Sequence, residues 1–242
     1  MYRIRQVKMV KVLLGLIACS ALQYGFASDD SGFVVQLGAF TATQGSQQHI
    51  GINGLIGDDF SVTDPTAQNV LAGVGYYFDE FDSPKISLLY GLDAFYLAPT
   101  KVQGNVAQEG GITNLSYQYS LTNVPLYFAG KAILYSTPKY EVTIDVGVGP
   151  NFIITNEFSQ TSADPETLPP DQIFSGNTTI ALSAMAGFGL RINDVLGQLP
   201  LEIDYRCFYL GQSHLNQLTG QTTNALETGD NYANALFLSL SF

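Results

Sequence analysis

The feature that most constrains this chain is the spacing of its apolar segments. Eight stretches rich in Val, Ile, Leu, Tyr and Phe alternate apolar and polar residues at period two, at approximately 33–43, 70–78, 86–97, 114–135, 140–155, 178–192, 201–215 and 231–242. Clusters of Gly, Pro, Asn and Asp divide them, which is the pattern of strands and turns. The connections measure 26, 7, 16, 4, 22, 8 and 15 residues in order, so long and short alternate without exception. Nothing in a soluble sandwich makes every second connection long. A transmembrane barrel does, with short turns on the side of both termini and long loops on the other. The short set is DEFDSPK, STPK and NDVLGQLP, each carrying residues suited to reversing the chain; the long set starts near Gln44, Pro99, Asn156 and Asn216.

The N-terminus points the same way. Arg3, Arg5, Lys8 and Lys11 precede an apolar run from Val12 to Leu22 and small residues at Gly25 and Ala27. That order is expected of a secretory signal peptide over residues 1–27, cleaved before Ser28. The run is about half the roughly 20 residues a spanning helix needs. Leu16-Ile17-Ala18-Cys19 offers a rival processing site, because it resembles the box cleaved before a lipid-bearing cysteine. If Cys19 is removed, Cys207 has no intrachain partner, and no disulfide framework is available.

Without residues 1–27, six Lys and Arg face 21 Asp and Glu, a net charge of −15. Nucleic acid is excluded as a partner, since phosphate binding needs clustered cations. Charged residues make up 13% of the chain, against about 25% in a soluble domain, so a water-facing surface would be poorly covered. After Leu22 no stretch is long and apolar enough for a helical span, leaving the closed barrel as the way to satisfy backbone groups in lipid. The expected fold is therefore all-β: an eight-stranded antiparallel transmembrane β-barrel of up-and-down topology over residues 28–242.

Parity within the strands assigns the two faces. In LEIDYRCFYLG, Leu201, Ile203, Tyr205, Cys207 and Tyr209 share one side, while Glu202, Asp204 and Arg206 share the other. An Arg at mid-depth in lipid costs about 2–4 kcal/mol, so the charged side is expected in the lumen. The same phase turns Glu141 and Asp145 inward, and Arg191 on the preceding strand. With Asp93 and Lys131 these form an expected polar network of five acids and three bases that fills the interior. A barrel of this width argues against an open diffusion pore. In-strand glycines (AGVG, DVGVG, AGFGL) read as barrel packing, because no GKT or GKS follows them. Tyr76, Tyr77, Phe78, Phe95, Tyr96, Tyr135, Tyr140 and Tyr232 are expected in interfacial girdles.

One strand breaks the phase: Tyr117, Tyr119 and Leu121 are odd, whereas Val124, Leu126 and Phe128 are even, with Asn123 and Pro125 near the change. Either a bulge lies there, or the upper half stands above the membrane, since 22 residues exceed the 9–11 needed to cross.

The last strand places Leu236, Leu238, Leu240 and Phe242 on one apolar face. Together with NVPLYFAGK, this ALFLSLSF ending resembles the small bacterial outer-membrane β-barrel proteins, the class of opacity-type surface antigens and OmpA-like transmembrane barrels. The resemblance covers nearly all of residues 28–242. It implies residence in the bacterial outer membrane, contact with its lipid and lipopolysaccharide, and recognition by the barrel-assembly machinery through Leu236, Leu238, Leu240 and Phe242. No peptidoglycan-binding domain is expected after Phe242, so a cell-wall anchoring role is not carried over.

Chemistry is sparsely represented. His49 and His214 are the two histidines, and Ser213 and His214, being adjacent, would point to opposite faces of a strand, which prevents a Ser–His pair. Asp58, Asp59, Asp64, Asp164, Glu166 and Asp171 lie in long connections without the spacing of a calcium loop. No catalytic, cofactor or metal residues are assigned. The expectation is a non-enzymatic surface protein whose long loops contact host or surface molecules, contributing to envelope structure or adhesion. The alternatives are a soluble or lipid-tethered lipocalin-like carrier, apolar inside and polar outside, and a lipid A-modifying enzyme.

Overall fold

A computed structural model describes residues 31–83, 86–108, 112–162, 172–196, 199–218 and 220–242. The N-terminal segment 1–27 and Cys19 lie outside the described residues. Thirteen strands are formed there: β1 (Ser31–Thr43), β2 (Gln48–Ile50), β3 (Asp58–Asp64), β4 (Thr66–Ser83), β5 (Ile86–Gln108), β6 (Ile112–Ser136), β7 (Tyr140–Ser162), β8 (Phe174–Ser175), β9 (Asn177–Leu196), β10 (Leu199–Gly211), β11 (His214–Gln217), β12 (Leu226–Glu227) and β13 (Asn231–Ser241).

Eight of these close a ring. β1 pairs with β4, β4 with β5, β5 with β6, β6 with β7, β7 with β9, β9 with β10 and β10 with β13, all antiparallel. β13 returns to β1 in the register Leu37↔Leu238, and Phe33 and Phe242 exchange backbone hydrogen bonds of 2.8 and 3.2 Å at the seam. The ring is thus an up-and-down barrel without a free edge, in which neighbouring strands pair each other's backbone groups. One end, called proximal here, holds Ser31, Phe242 and the short turns; in one of these, the Thr137 N–H and hydroxyl both donate to the Tyr140 carbonyl at 2.9 Å or less.

Several strands are longer than their periodicity suggests: β4 and β9 run on proximally to Ser83 and Leu196, and the largest excess, on β5 and β7, is at the distal end. β5, β6 and β7 run for 23, 25 and 23 residues, so much of the connections expected after Pro99 and Asn156 is extended strand. Within 44–69, β2 and β3 form a hairpin, and β3 pairs with the distal half of β5, standing above β4 in the ring. Gln, Ser and Thr face outward there, which is why these segments read as polar loops.

The phase change in β6 has a simple origin. Inward positions stay odd from Leu115 through Tyr117, Tyr119, Leu121, Asn123, Tyr127 and Ala129 to Lys131, all buried, and pairing with β7 is in register across Asn123–Phe128. No bulge lies at Asn123–Pro125. Apolar residues move from the inside to the outside because the surroundings change: in the proximal half the outward face carries Leu126 and Phe128, in the distal half the apolar residues turn in. The irregularity falls instead on β5, where the register shifts between Leu97 and Thr100 around Pro99, and on β7, where Glu157 sits at φ 58° opposite a register shift.

Two cores result. Inside the proximal half, Phe95, Tyr127, Met185, Phe208 and Phe237 pack across the bore. Inside the distal half, Phe60, Tyr117, Tyr119, Phe158, Phe174, Leu215 and Leu226 form a separate core. The outer surface of the proximal half is continuously apolar, with Leu92, Phe128, Val146, Val148, Leu182, Leu236 and Leu238 exposed. The lipocalin-like arrangement, apolar within and polar without, holds only in the distal half; the proximal half is apolar on its outer wall, as a bilayer demands, and holds both an aromatic layer and buried charges within.

Candidate functional site

The proximal lumen encloses a cluster of charges drawn from five strands. Lys131 of β6 places Nζ 2.6 Å from Glu202 Oε2 and 3.4 Å from Asp145 Oδ1. Arg206 of β10 reaches three acids: Asp93 at 3.5 Å, Asp145 at 3.7 Å and Asp204 at 3.7 Å. Arg191 sits nearer the proximal mouth, 3.4 Å from Glu141 and 3.5 Å from Glu202. Neutral groups complete the shell. The Tyr77 hydroxyl donates to Asp93 at 2.6 Å, Gln36 donates to the other Asp93 oxygen at 3.2 Å, Ser239 donates to Asp204 at 2.6 Å, and Thr143 donates to Glu202. The Arg206 guanidinium also lies over Phe237 and Phe95, 5.2 and 5.7 Å from the ring centroids, so the aromatic layer caps the cluster distally.

Glycine makes room for this. A Cβ on Gly189 would lie 2.5 Å from Asp204 Oδ1 and 2.6 Å from both Glu202 Oε1 and Thr143 Oγ1, and one on Gly187 would lie 2.5 Å from Arg206 Cγ. The strand β9 therefore gives up side chains where β10 presents its charged ones.

Among the described residues, one group of carboxylates, Asp145, Glu202 and Asp204, brings oxygens within 4.8 Å of one another. Lys131 and Arg206 already supply cations between them, which makes the arrangement an ion-pair lattice.

Tyr77 and Phe95, expected at a girdle, are instead inside, 4% and 2% exposed. Parity held the signal: Tyr77 shares its phase with Gly73 and Gly75, and Phe95 shares its phase with Asp93. Tyr76, Phe78, Tyr135, Tyr140 and Tyr232 are exposed on the outer wall. Sequence reasoning also missed Gln36, Thr143 and Ser239, short polar residues whose role appears only once the ring brings them opposite charges.

On the last strand, Leu236, Leu238 and Phe242 are exposed on the outer wall and Leu240 is half-buried.

The distal half holds the two histidines. His49 lies between the Asp59 carboxylate, 2.7 Å from Nδ1, and the Ile56 carbonyl, 2.9 Å from Nε2. Both partners accept, so the doubly protonated ring satisfies both, and its pKa is raised above 6.5 chiefly by the Asp59 hydrogen bond. Ser213 is buried, with its hydroxyl donating to Thr179 at 3.0 Å, whereas His214 Nε2 lies 3.1 Å from the Asn177 amide. The two do not form a nucleophile–base pair. Burial in the distal core pushes the Tyr117 hydroxyl up to about 12. Asp164, Glu166 and Asp171 lie outside the described residues.

No protein-family profile and no curated protein matches the chain. Solved structures do. The outer membrane protease OmpT from Escherichia coli aligns at a TM-score of 0.52 and 8% identity, covering 90% of this chain and 98% of that one. The outer membrane protein OprG from Pseudomonas aeruginosa aligns at 0.48 and 14% identity over 88% and 96% of the two chains. Neisserial surface protein A aligns at 0.41 and 14% identity over 86% and 95%. At these identities the likeness is one of fold. With a closed eight-stranded ring, an apolar outer wall and a charged interior, the chain is a transmembrane β-barrel of the outer-membrane type.

Proposed function

We propose that this protein is a non-enzymatic surface protein of a bacterial outer membrane, in which the filled proximal barrel is an anchor and the distal half is a rigid platform for contacts outside the cell. The observation that carries this reading is the second core. A strand needs only 9–11 residues to cross a bilayer, yet β5, β6 and β7 continue for 23–25 residues and enclose Phe60, Tyr117, Phe158 and Phe174 beyond the apolar wall. A membrane plug needs no such superstructure; a platform that must hold its shape while touching a partner does.

Charge narrows the contacts. Among the described residues of 44–69, 99–122, 153–179 and 211–231, which supply the distal half, six Asp and Glu stand against Lys101 alone. Such a surface meets lipopolysaccharide phosphates only through divalent cations, and it favours host or surface ligands that are cationic. Entry into the membrane would use the apolar face of β13, with Leu236, Leu238, Leu240 and Phe242 presented to the barrel-assembly machinery.

Surface placement is tested with Thr161→Cys, an exposed distal position, in a Cys207→Ser background. A membrane-impermeant maleimide should label intact cells, and the unheated protein should migrate apart from the boiled one in the outer-membrane fraction. Absence of labelling on intact cells, with labelling after lysis, would overturn the reading. The enzymatic alternative is tested by fatty-acid release from isolated outer membranes; release lost on His214→Ala would establish it.

A further inference from the structure

Large apolar side chains in the distal half are enclosed, with three exceptions among the described residues: Leu55, Ile56 and Leu218, exposed by 64%, 70% and 55%. The other strongly exposed apolar residues belong to the lipid-facing wall or the proximal turns. These three lie beyond the wall, where water is the surrounding.

They stand on two loops that are stitched together. The Asn53 N–H donates to the Gln221 carbonyl at 2.7 Å and its side chain donates to the Gly220 carbonyl at 2.6 Å; the Thr223 N–H donates to Gly51 at 2.8 Å, and Ile52 forms a β-bridge with Thr222. Asn224 adds two bonds of 2.9 Å, accepting from the Gly51 N–H and donating to the His49 carbonyl. Leu55 and Ile56 follow Asn53 by two and three residues, and Leu218 precedes Gly220 by two. Gly54 at φ 81° and Gly57 at φ 109° allow the tight reversal, and Ile50 anchors its base in the distal core. The apolar tip is therefore exposed and ordered at once, so little conformational freedom remains to be lost on binding.

We propose that the joined tips, 51–57 on one side and Leu218 with 220–223 on the other, form a docking site for a protein partner presenting an apolar face rimmed by basic residues. Leu55, Ile56 and Leu218 would supply the buried contact, with the acidic excess of the distal half, six Asp and Glu against Lys101 among the described residues, attracting the basic rim. The acidic surroundings disfavour insertion into an anionic membrane and pairing with a second copy of this chain. The proposal rests on the surface-protein reading above and adds the site and the chemistry of the partner.

The test uses the full mature chain in phosphatidylcholine nanodiscs with isoleucine methyl groups labelled for NMR. The probe is a 14-residue Leu/Lys helical peptide with one apolar stripe; a permuted peptide of the same composition without the stripe is the comparison. The striped peptide should shift the Ile56 methyl resonance. Its affinity should fall by about tenfold with Leu55→Ser/Ile56→Ser/Leu218→Ser, and by a similar factor for the permuted peptide. Equal binding by the triple variant, or by the permuted peptide, would overturn the site. So would a response of Ile56 to phosphatidylserine vesicles but not to the striped peptide, which would make the tip a membrane anchor. The variant's heat-dependent gel mobility, unchanged because the three side chains are exposed, verifies that the barrel has folded. Thr161→Cys labelling on intact cells separates the two ideas: labelled cells with an inert tip would leave the surface reading standing and end this one.

Discussion

Lys131 and Glu202, 71 positions apart in the chain, meet at 2.6 Å inside the barrel with side-chain exposures of 3% and 1%. Their pairing joins β6 to β10 across the bore, a contact that no neighbouring strand pair provides. Removing one partner leaves the other buried with only a longer ion pair, Arg191 at 3.5 Å for Glu202 or Asp145 at 3.4 Å for Lys131, at a cost approaching the ~3–5 kcal/mol of a broken buried pair. Lys131→Met should therefore lower the urea midpoint of unfolding from lipid vesicles sharply. Lys131→Met combined with Glu202→Gln should recover part of that loss, because the orphaned charge is gone. An additive double variant would mean that the pair carries no coupling.

Leu92 and Gln103 lie on the same strand, β5, both pointing outward, on either side of the change in surroundings. Leu92→Arg places a cation against the apolar wall between Tyr76 and Phe128 and should destabilise the inserted barrel by about 2–4 kcal/mol. Gln103→Arg, surrounded by polar groups such as Gln118, should change stability little. Equilibrium unfolding of the two variants in bilayers measures where the membrane ends on the protein.

The His49 contacts impose a pH dependence on the 50–58 hairpin turn. The folded pKa is raised above the unfolded 6.5 by the bonds to Asp59 and the Ile56 carbonyl, with Asp58 adding attraction. The stabilisation is thus complete below pH 6.5 and is lost as pH rises through the folded pKa. Proteolysis of the turn should be slow at pH 5.5 and faster at pH 8.5, with the midpoint visible in the imidazole NMR titration. His49→Ala should remove the dependence, and Asp59→Asn should move the titration toward 6.5.

Phe242 closes the seam against Phe33 and exposes its ring on the outer wall. Phe242→Ser keeps the backbone hydrogen bonds but removes the apolar end of the Leu236, Leu238, Leu240 face. The proposed assembly role predicts a marked fall in the heat-modifiable, membrane-inserted fraction in cells, while refolding of the purified variant into detergent stays close to wild type. Equal losses in both settings would assign Phe242 to stability alone.

Strand parity and the alternation of connection lengths are local properties, and both can be read directly from the chain. They account for the eight barrel strands, the short turns at one end and the opposite faces of Glu202, Asp204 and Arg206 against Ile203 and Tyr205. Parity also separates Tyr77 from Tyr76, yet the abundance of aromatic residues near strand ends pointed to a girdle and obscured it. The distal strands were not legible as strands, because their outward Gln, Ser and Thr look like loop residues when the apolar partners that cover their inner face are far away in sequence.

What the sequence by itself determined is which residues share a face, since a period of two is built into extended backbone. What only the tertiary structure decided is the medium that each face meets and the partner that each charge finds. β6 keeps one phase from Leu115 to Lys131, and closure of the ring places part of that face in the aromatic and ionic lumen and part in the distal core. The same closure, through contacts between residues as distant as Asn53 and Gln221, sets the loop tips, where no local pattern specifies a neighbour.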